Sequence, residues 1–279
     1  MKRILTIQDI SCVGKCSLTV ALPIISAMGV ETAVIPTAVL STHTAFKGFT
    51  FRDLTGDIEP IIRHWQAEGI SFDALYTGYL GSLTQIQLVG AAFDAFNTPE
   101  NQIVIDPVMG DHGKLYSGFT PEFAREMAKL CARADVIVPN MTEACAMLGR
   151  PYIGGGYDEG EIRALLAALT ALGARCAVLT GVSFTAGQLG VMAYDARKGR
   201  YESYFREQVP VSFHGTGDIV ASTMVGALTR GLKLPEALRV AVDFTVDSIA
   251  LTVNDPDHRW YGVNFEQALP ALARRMESV

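Results

Sequence analysis

Short apolar runs alternate along this chain with longer stretches in which apolar residues return every three or four positions. The runs at 3–7, 32–36, 74–76, 103–105, 136–138 and 177–179 have the length and apolar content of buried strands. Between them, Ile86, Val89, Phe93 and Phe96 mark one face of a helix, and Ile162, Leu165, Leu169 and Leu172 mark another. Strand–helix alternation predicts an α/β fold with a central, mostly parallel sheet flanked by helices on both faces. Past residue 188 the rhythm changes: apolar stretches at 189–194 and 201–205 flank a turn-rich 195–200, which predicts an antiparallel hairpin. Helical segments at 217–230, 235–252 and 265–277 close the chain. No Pro/Ser-rich linker, low-complexity stretch or internal repeat interrupts this order, so residues 1–279 read as one domain.

Composition changes the picture mainly by exclusion. The chain is 49% apolar and 19% charged, ordinary for a soluble enzyme, and long enough to bury a core without disulfides or structural metal. A net charge of −6 argues against a nucleic-acid partner, which needs a basic surface. A bound nucleotide is not excluded, because a few backbone amides suffice to hold its phosphates. Cys12, Cys16, Cys131, Cys145 and Cys176 are odd in number and scattered, which fits reduced thiols; the Cys12/Cys16 pair has no second pair or histidine cluster to complete a zinc site. The first apolar stretch breaks at Gln8-Asp9, and the longest, about 18–30, contains Pro23 and is too short to cross a bilayer. A cytoplasmic, soluble protein with no membrane partner is the expectation.

The sharpest local signal is His214-Gly215-Thr216-Gly217-Asp218, followed by an apolar helical run. Two glycines let consecutive amides converge at a helix start, a place that favours anions such as a transferring phosphoryl group. Asp218 at that start suits a base that takes a proton from an attacking hydroxyl. The segment is equally a Gly-rich N-cap in which Asp218 only bonds backbone amides, and spacing leaves both readings open. A dinucleotide fingerprint fails here, because its third glycine would fall on Val220. No GxxxxGK[ST] loop occurs either, so ATP use would need other devices.

A second cluster sits at strand ends. Asp106-Pro107-Val108-Met109-Gly110-Asp111 follows the run at 103–105, and Asn140-Met141-Thr142-Glu143 follows 136–138. Residues just past the carboxyl ends of parallel strands line the ligand crevice, and two carboxylates with an amide suit Mg²⁺. Taken singly, Asp106 is also a turn former and Glu143 a first-turn helix carboxylate.

With these residues in view, the chain resembles pyridoxal kinases of the ribokinase-like superfamily over nearly its whole length. The resemblance rests on Ile7-Gln8 with the loop to Gly14, Ser41-Thr42-His43-Thr44, and Thr77-Gly78-Tyr79-Leu80-Gly81-Ser82. It continues through Asp106-Pro107-Val108-Met109-Gly110, Pro139-Asn140 with Glu143, Thr180, and Gly215-Thr216-Gly217-Asp218. It implies a ribokinase-like sheet, a homodimer, and ATP with Mg²⁺, a monovalent cation being left open. The implied activity is phosphorylation of the 5′-hydroxyl of a vitamin B6 vitamer. Asp218 would be the base, and Gly215, Thr216 and Gly217 the anion hole. Asp106 and Glu143 would hold the metal–ATP region, largely through waters. Asp111, Tyr116, Asn140 and Thr180 would lie along the nucleotide. Asp9, Thr44 and Tyr79 would face the pyridine ring, with His43 close by.

Two departures bear on the substrate. Pyridoxal kinases usually carry Ser where this chain has Asp9, and an ionised Asp9 accepts from a pyridinium N–H or an amine, a tilt toward pyridoxamine. Hydroxymethylpyrimidine kinases resemble the HGTG stretch with His214 but follow it with Cys, not Asp218, which makes that activity the nearest alternative. A non-catalytic sensor of a B6 vitamer or nucleotide is a rival of another class. A sugar or nucleoside kinase is weakened by the TGYLGS and STHT segments. Among the remaining residues, His43 is a ring contact or a loop histidine, and Lys15 reads as a solvated loop lysine rather than a phosphate contact. Gly154-Gly155-Gly156 reads as a surface loop with the flexibility of a lid, Trp65 and Trp260 as packing residues, and His64, His112 and His258 carry no assignment.

Overall fold

A computed structural model describes residues 1–277. In chain order its elements are β1 (Arg3–Val13), α1 (Leu18–Ala27), β2 (Glu31–Thr42), β3 (Phe51–Asp53), α2 (Thr55–Ala67), β4 (Ala74–Thr77) and α3 (Leu83–Phe96). There follow β5 (Gln102–Ile105), β6 (Gly110–Asp111), β7 (Lys114–Leu115), α4 (Pro121–Cys131), β8 (Val136–Ile137), α5 (Met141–Met147) and α6 (Glu159–Ala171). The last third holds β9 (Cys176–Val182), β10 (Gln188–Asp195), β11 (Arg200–Glu207), α7 (Thr216–Thr229), α8 (Leu234–Val253) and α9 (Phe265–Glu277). Nine strands form one sheet in the order β11-β10-β9-β8-β5-β4-β1-β2-β3, and β6 and β7 form a separate small ribbon. From β2 across to β9 the pairings are parallel. The edges are antiparallel, with β3 on one side and the expected β10–β11 hairpin on the other.

The period of two along each strand divides the core. Ile4, Tyr76, Val104 and Val178 pack with α1, α7, α8 and α9, while Leu5, Leu75, Ile103, Ile105 and Leu179 pack with α2 to α6. Both faces are covered, which explains why the central strands read as continuous apolar runs rather than alternating ones. Among the described residues no helix is long and apolar enough to cross a membrane, and all five cysteines are free thiols.

Some elements differ from their expected form, and each difference has a local cause. β1 and β2 run well past residues 7 and 36. Pro36, which has no amide to give, is tolerated inside β2 because the ladder is irregular there, passing from Gln8↔Pro36 to Ile10↔Val39. Pairing of β1 with β4 stops at Ile7↔Thr77. Asp9 and Ser11 therefore stand beyond the end of β4, beside the crevice. Leu172, expected on the core face of α6, ends that helix instead and stays 36% exposed, next to Gly173 at φ 136°. Trp65 packs on the core as expected. Trp260 does not: it is 58% exposed and lies against Phe46, with ring centroids 4.6 Å apart.

Candidate active site

The carboxyl ends of β5, β8 and β9 meet the start of α7 at one rim. There a cavity of about 490 Å³ is lined by Asp106, Asp111, Tyr116, Asn140, Glu143, Thr180 and the run from Gly215 to Asp218. The residues assigned from sequence to the nucleotide and to phosphoryl transfer thus share one wall. Asp9, His43, Thr44 and Tyr79 do not line that cavity.

Around Asp106, Asn140 and Glu143 the geometry follows from a helix cap. Asn140, bridging to Thr180 just past β8, caps α5, its side chain accepting from the Glu143 amide at 3.0 Å, while Glu143 Oε2 accepts from the Asn140 amide at 2.8 Å. Glu143 Oε1 accepts from the Met109 amide at 3.1 Å, and Asn140 Nδ2 donates to the Gly110 carbonyl at 2.8 Å. The capping box therefore also fixes the loop after Asp106. Asp106 is 6% exposed, and its carboxylate makes no hydrogen bond among the described residues. Burial, and after it the charges of Glu143 and Asp218, hold its pKa well above the usual carboxylate range. Glu143 is raised as well, by burial, with the amides that bond it working in the opposite direction.

The turn into α7 is a matter of backbone. Gly215 precedes α7 at φ 82°, ψ 0°, the left-handed region that glycine enters freely. A Cβ there would come within 1.8 Å of the Lys15 carbonyl oxygen, so this glycine is also required for close approach of two backbones. The position opposite Gly217 is open. Asp218 stands in the first turn of α7, within the influence of the Ser17 amide. Part of Asp218 remains open to the cavity, yet burial pushes its pKa up to about 7, with the charge of Asp9 adding to the rise and the Ser17 amide opposing it. A carboxyl group with a pKa near neutrality, beside free helix-start amides, can accept a hydroxyl proton while the amides hold an anion.

Asp9, His43, Thr44 and Tyr79 differ in burial. Asp9 is 4% exposed; its Oδ2 accepts from Ser11 Oγ at 3.2 Å, and its Oδ1 is buried with no hydrogen-bond partner. Burial raises its pKa, and the hydroxyls of Ser17 and Ser11 oppose the rise. The half-buried Tyr79 lies within reach of that charge. His43 is buried, accepting on Nδ1 from the Ala45 amide at 3.2 Å, so Nε2 carries the proton donated to the Tyr261 carbonyl at 3.2 Å. Its ring faces His214 at 5.3 Å. Thr44 is exposed in the adjoining turn.

Magnesium fits this donor set in a limited way. Among the described residues no three His, Cys, Asp or Glu converge on one point. Asp106 offers a carboxylate without a hydrogen bond, whereas both oxygens of Glu143 already accept amides. One direct protein carboxylate, with water and phosphate oxygens for the rest, is how Mg²⁺ is ordinarily held beside a nucleotide.

The model of the family "Phosphomethylpyrimidine kinase" matches residues 22–259. The chain belongs to the phosphomethylpyrimidine kinase family. Pyridoxal kinase of Arabidopsis thaliana is 26% identical to it over 256 residues, spanning 88% of this chain and 80% of that protein. A candidate phosphomethylpyrimidine kinase from Bacteroides thetaiotaomicron, solved in a form with pyridoxal, superposes with a TM-score of 0.92 at 38% identity, covering 97% and 95% of the two chains. Pyridoxal kinase from Lactobacillus plantarum superposes at 0.89 with 33% identity, covering 100% and 99%. The fold is thus that of the ribokinase-like pyridoxal kinases.

Several residues of this family member's site escaped the sequence reading. Val108, His112, Val138, Ser212 and Phe213 also line the cavity. Ser212 and Phe213 could have been found by adjacency to the glycines. Ser17 could not: its role is carried by an amide held at φ 51°, a conformation that nothing in a serine announces.

Proposed function

We propose that this family member transfers the γ-phosphoryl group of ATP to the 5′-hydroxymethyl group of a vitamin B6 vitamer, with Asp218 as the base. The observation that carries the reading is Asp218 itself, a carboxyl raised to about 7 at the helix start where Gly215 frees the amides. The pyridoxal kinases among its relatives, and the neighbour solved with pyridoxal, support the choice of acceptor. In this mechanism the acceptor hydroxyl attacks phosphorus in line, its proton passes to an Asp218 oxygen, and the bond to ADP breaks. The amides from Gly215 to Gly217 hold the charge on the moving group. Asn140, Thr180, Tyr116 and Asp111 border the nucleotide. Asp106, with Glu143 through water, would hold a magnesium ion that neutralises phosphate charge. The reading carries with it a homodimer, which sedimentation would check.

Asp9 supplies the finer specificity in this reading. Its buried, half-satisfied carboxylate next to Asp218 favours an acceptor that brings a positive charge or an N–H, so pyridoxamine is expected to outrank pyridoxal and pyridoxine in kcat/KM. Asp9→Ser should narrow that ranking by about tenfold, the weight of one charge-assisted hydrogen bond. ATP-dependent product mass across the three vitamers, hydroxymethylpyrimidine and ribose tests the whole reading. Turnover confined to the pyrimidine would reassign the acceptor to the hydroxymethylpyrimidine branch, to which His214 and the 27% identical Streptomyces coelicolor enzyme point. Heat stabilisation by a vitamer without turnover would favour a sensor.

A further inference from the structure

Lys15 lies in the loop between β1 and α1 and turns away from the cavity. Its Nζ donates to Glu266 Oε2 at 2.7 Å and to Asn264 Oδ1 at 3.3 Å, and it sits 5.7 Å from the centre of the Phe265 ring. The side chain is 14% exposed, so it is neither a phosphate contact nor a solvated lysine. The same loop touches the catalytic groups. The Lys15 carbonyl presses against Gly215, and two residues on, the Ser17 amide acts on the Asp218 carboxyl and lowers its pKa. On the far side, Gly262 has no room for a side chain against Lys15 Cβ, which a Cβ there would approach to 2.4 Å. Asn264 is itself held by the Thr252 hydroxyl at 2.7 Å and by Asp255 at 2.8 Å.

We propose that Lys15 is a positioning residue: through Glu266 it clamps the β1–α1 loop between the start of α9 and Gly215, keeping the phosphoryl cradle and the Ser17 amide in register with Asp218. The inference rests on the cradle and base reading given above. Ser17 at φ 51° is why a clamp is needed, because a non-glycine residue rarely holds that conformation unless its surroundings impose it. The ion pair itself adds little stability, since Glu266 is 52% exposed. Its removal should therefore be felt in turnover far more than in folding.

The test is steady-state kinetics with ATP and the best vitamer on Lys15→Met, Lys15→Arg, Glu266→Gln and the Lys15→Met/Glu266→Gln double variant. A loosened cradle predicts kcat lower by about 10- to 100-fold in the Met and Gln variants with KM for ATP almost unchanged. Arg should restore much of the loss, and the double variant should be no slower than the worse single one. Glu266→Gln leaves the Lys15 stem packed, so it decides the matter if Lys15→Met folds poorly. Wild-type kcat in Glu266→Gln, or losses that multiply in the double variant, would overturn the clamp. Binding of ADP with aluminium fluoride, a mimic of the transferring group, separates this proposal from the base assignment. If Asp218→Asn kept its turnover while the Lys15 and Glu266 variants lost affinity for that mimic, the clamp would stand and the base would not.

Discussion

Beside Asp106 both buried oxygens of Glu143 accept backbone amides, whereas across Asp218 one oxygen of Asp9 accepts from Ser11 and the other, Oδ1, is buried with no hydrogen-bond partner. The first arrangement is complete without a ligand. A capping box closes it locally, and its partners lie within a few residues or one strand away. The second is incomplete, and an unmet buried acceptor waits for a proton or a donor. The Glu143 wall is thus preorganised by the fold, whereas under the proposed function Asp9 gains its last contact from the acceptor.

Substitutions at the seam and on each side can break or sharpen that contrast. At the seam, Gly215→Ala forces a Cβ onto the Lys15 carbonyl, and kcat should fall by about 10²–10³-fold, the usual loss when an anion-hole donor is displaced, with circular dichroism confirming a folded protein. On the acceptor side, Ser11→Ala removes the hydroxyl that donates to Asp9 Oδ2 and should cost about 1–3 kcal/mol in urea unfolding. Saturating pyridoxamine should recover more of that loss than the same ligand gives the unaltered protein. On the nucleotide side, Asn140→Ala removes a cap and should cost about 1 kcal/mol, with KM for ATP raised and no recovery from the vitamer. Equal rescue of Ser11→Ala and Asn140→Ala by pyridoxamine would erase the distinction between the two sides.

The two sides were also unequally legible in the sequence. Asp106, Asn140 and Glu143 follow short apolar runs, and strand ends in a parallel sheet are where ligands bind, so the strand pattern led to them, whereas Thr180 was reached only through the family resemblance. Gly215 and Gly217 announced a tight turn before a helix. The β1–α1 loop and the ground around Asp9 and His43 depend on contacts that no local pattern carries. Lys15 meets Asn264 across 249 residues of sequence, and His43 meets Tyr261 across 218. Trp260 belongs to that same late loop, and its exposure depends on how the loop lies over His43 and Phe46. In β2, Pro36 argued for a strand end, and only the irregular register opposite it shows why the strand continues.

The most direct test of the account is Asp218→Asn, measured for turnover, nucleotide affinity and stability against pH. Because the folded carboxyl has a pKa of about 7 against an ordinary 3.8, the native state holds a proton that the unfolded chain has released. Wild-type stability should therefore fall as pH rises from about 4 to about 7, and the asparagine variant, lacking that fall, should be the more stable protein above pH 7. The account predicts a kcat lower by about 10²–10⁴-fold with ATP binding nearly intact, in a variant that melts higher than wild type at pH 8. Turnover close to wild type in a folded, nucleotide-binding Asp218→Asn protein would contradict it.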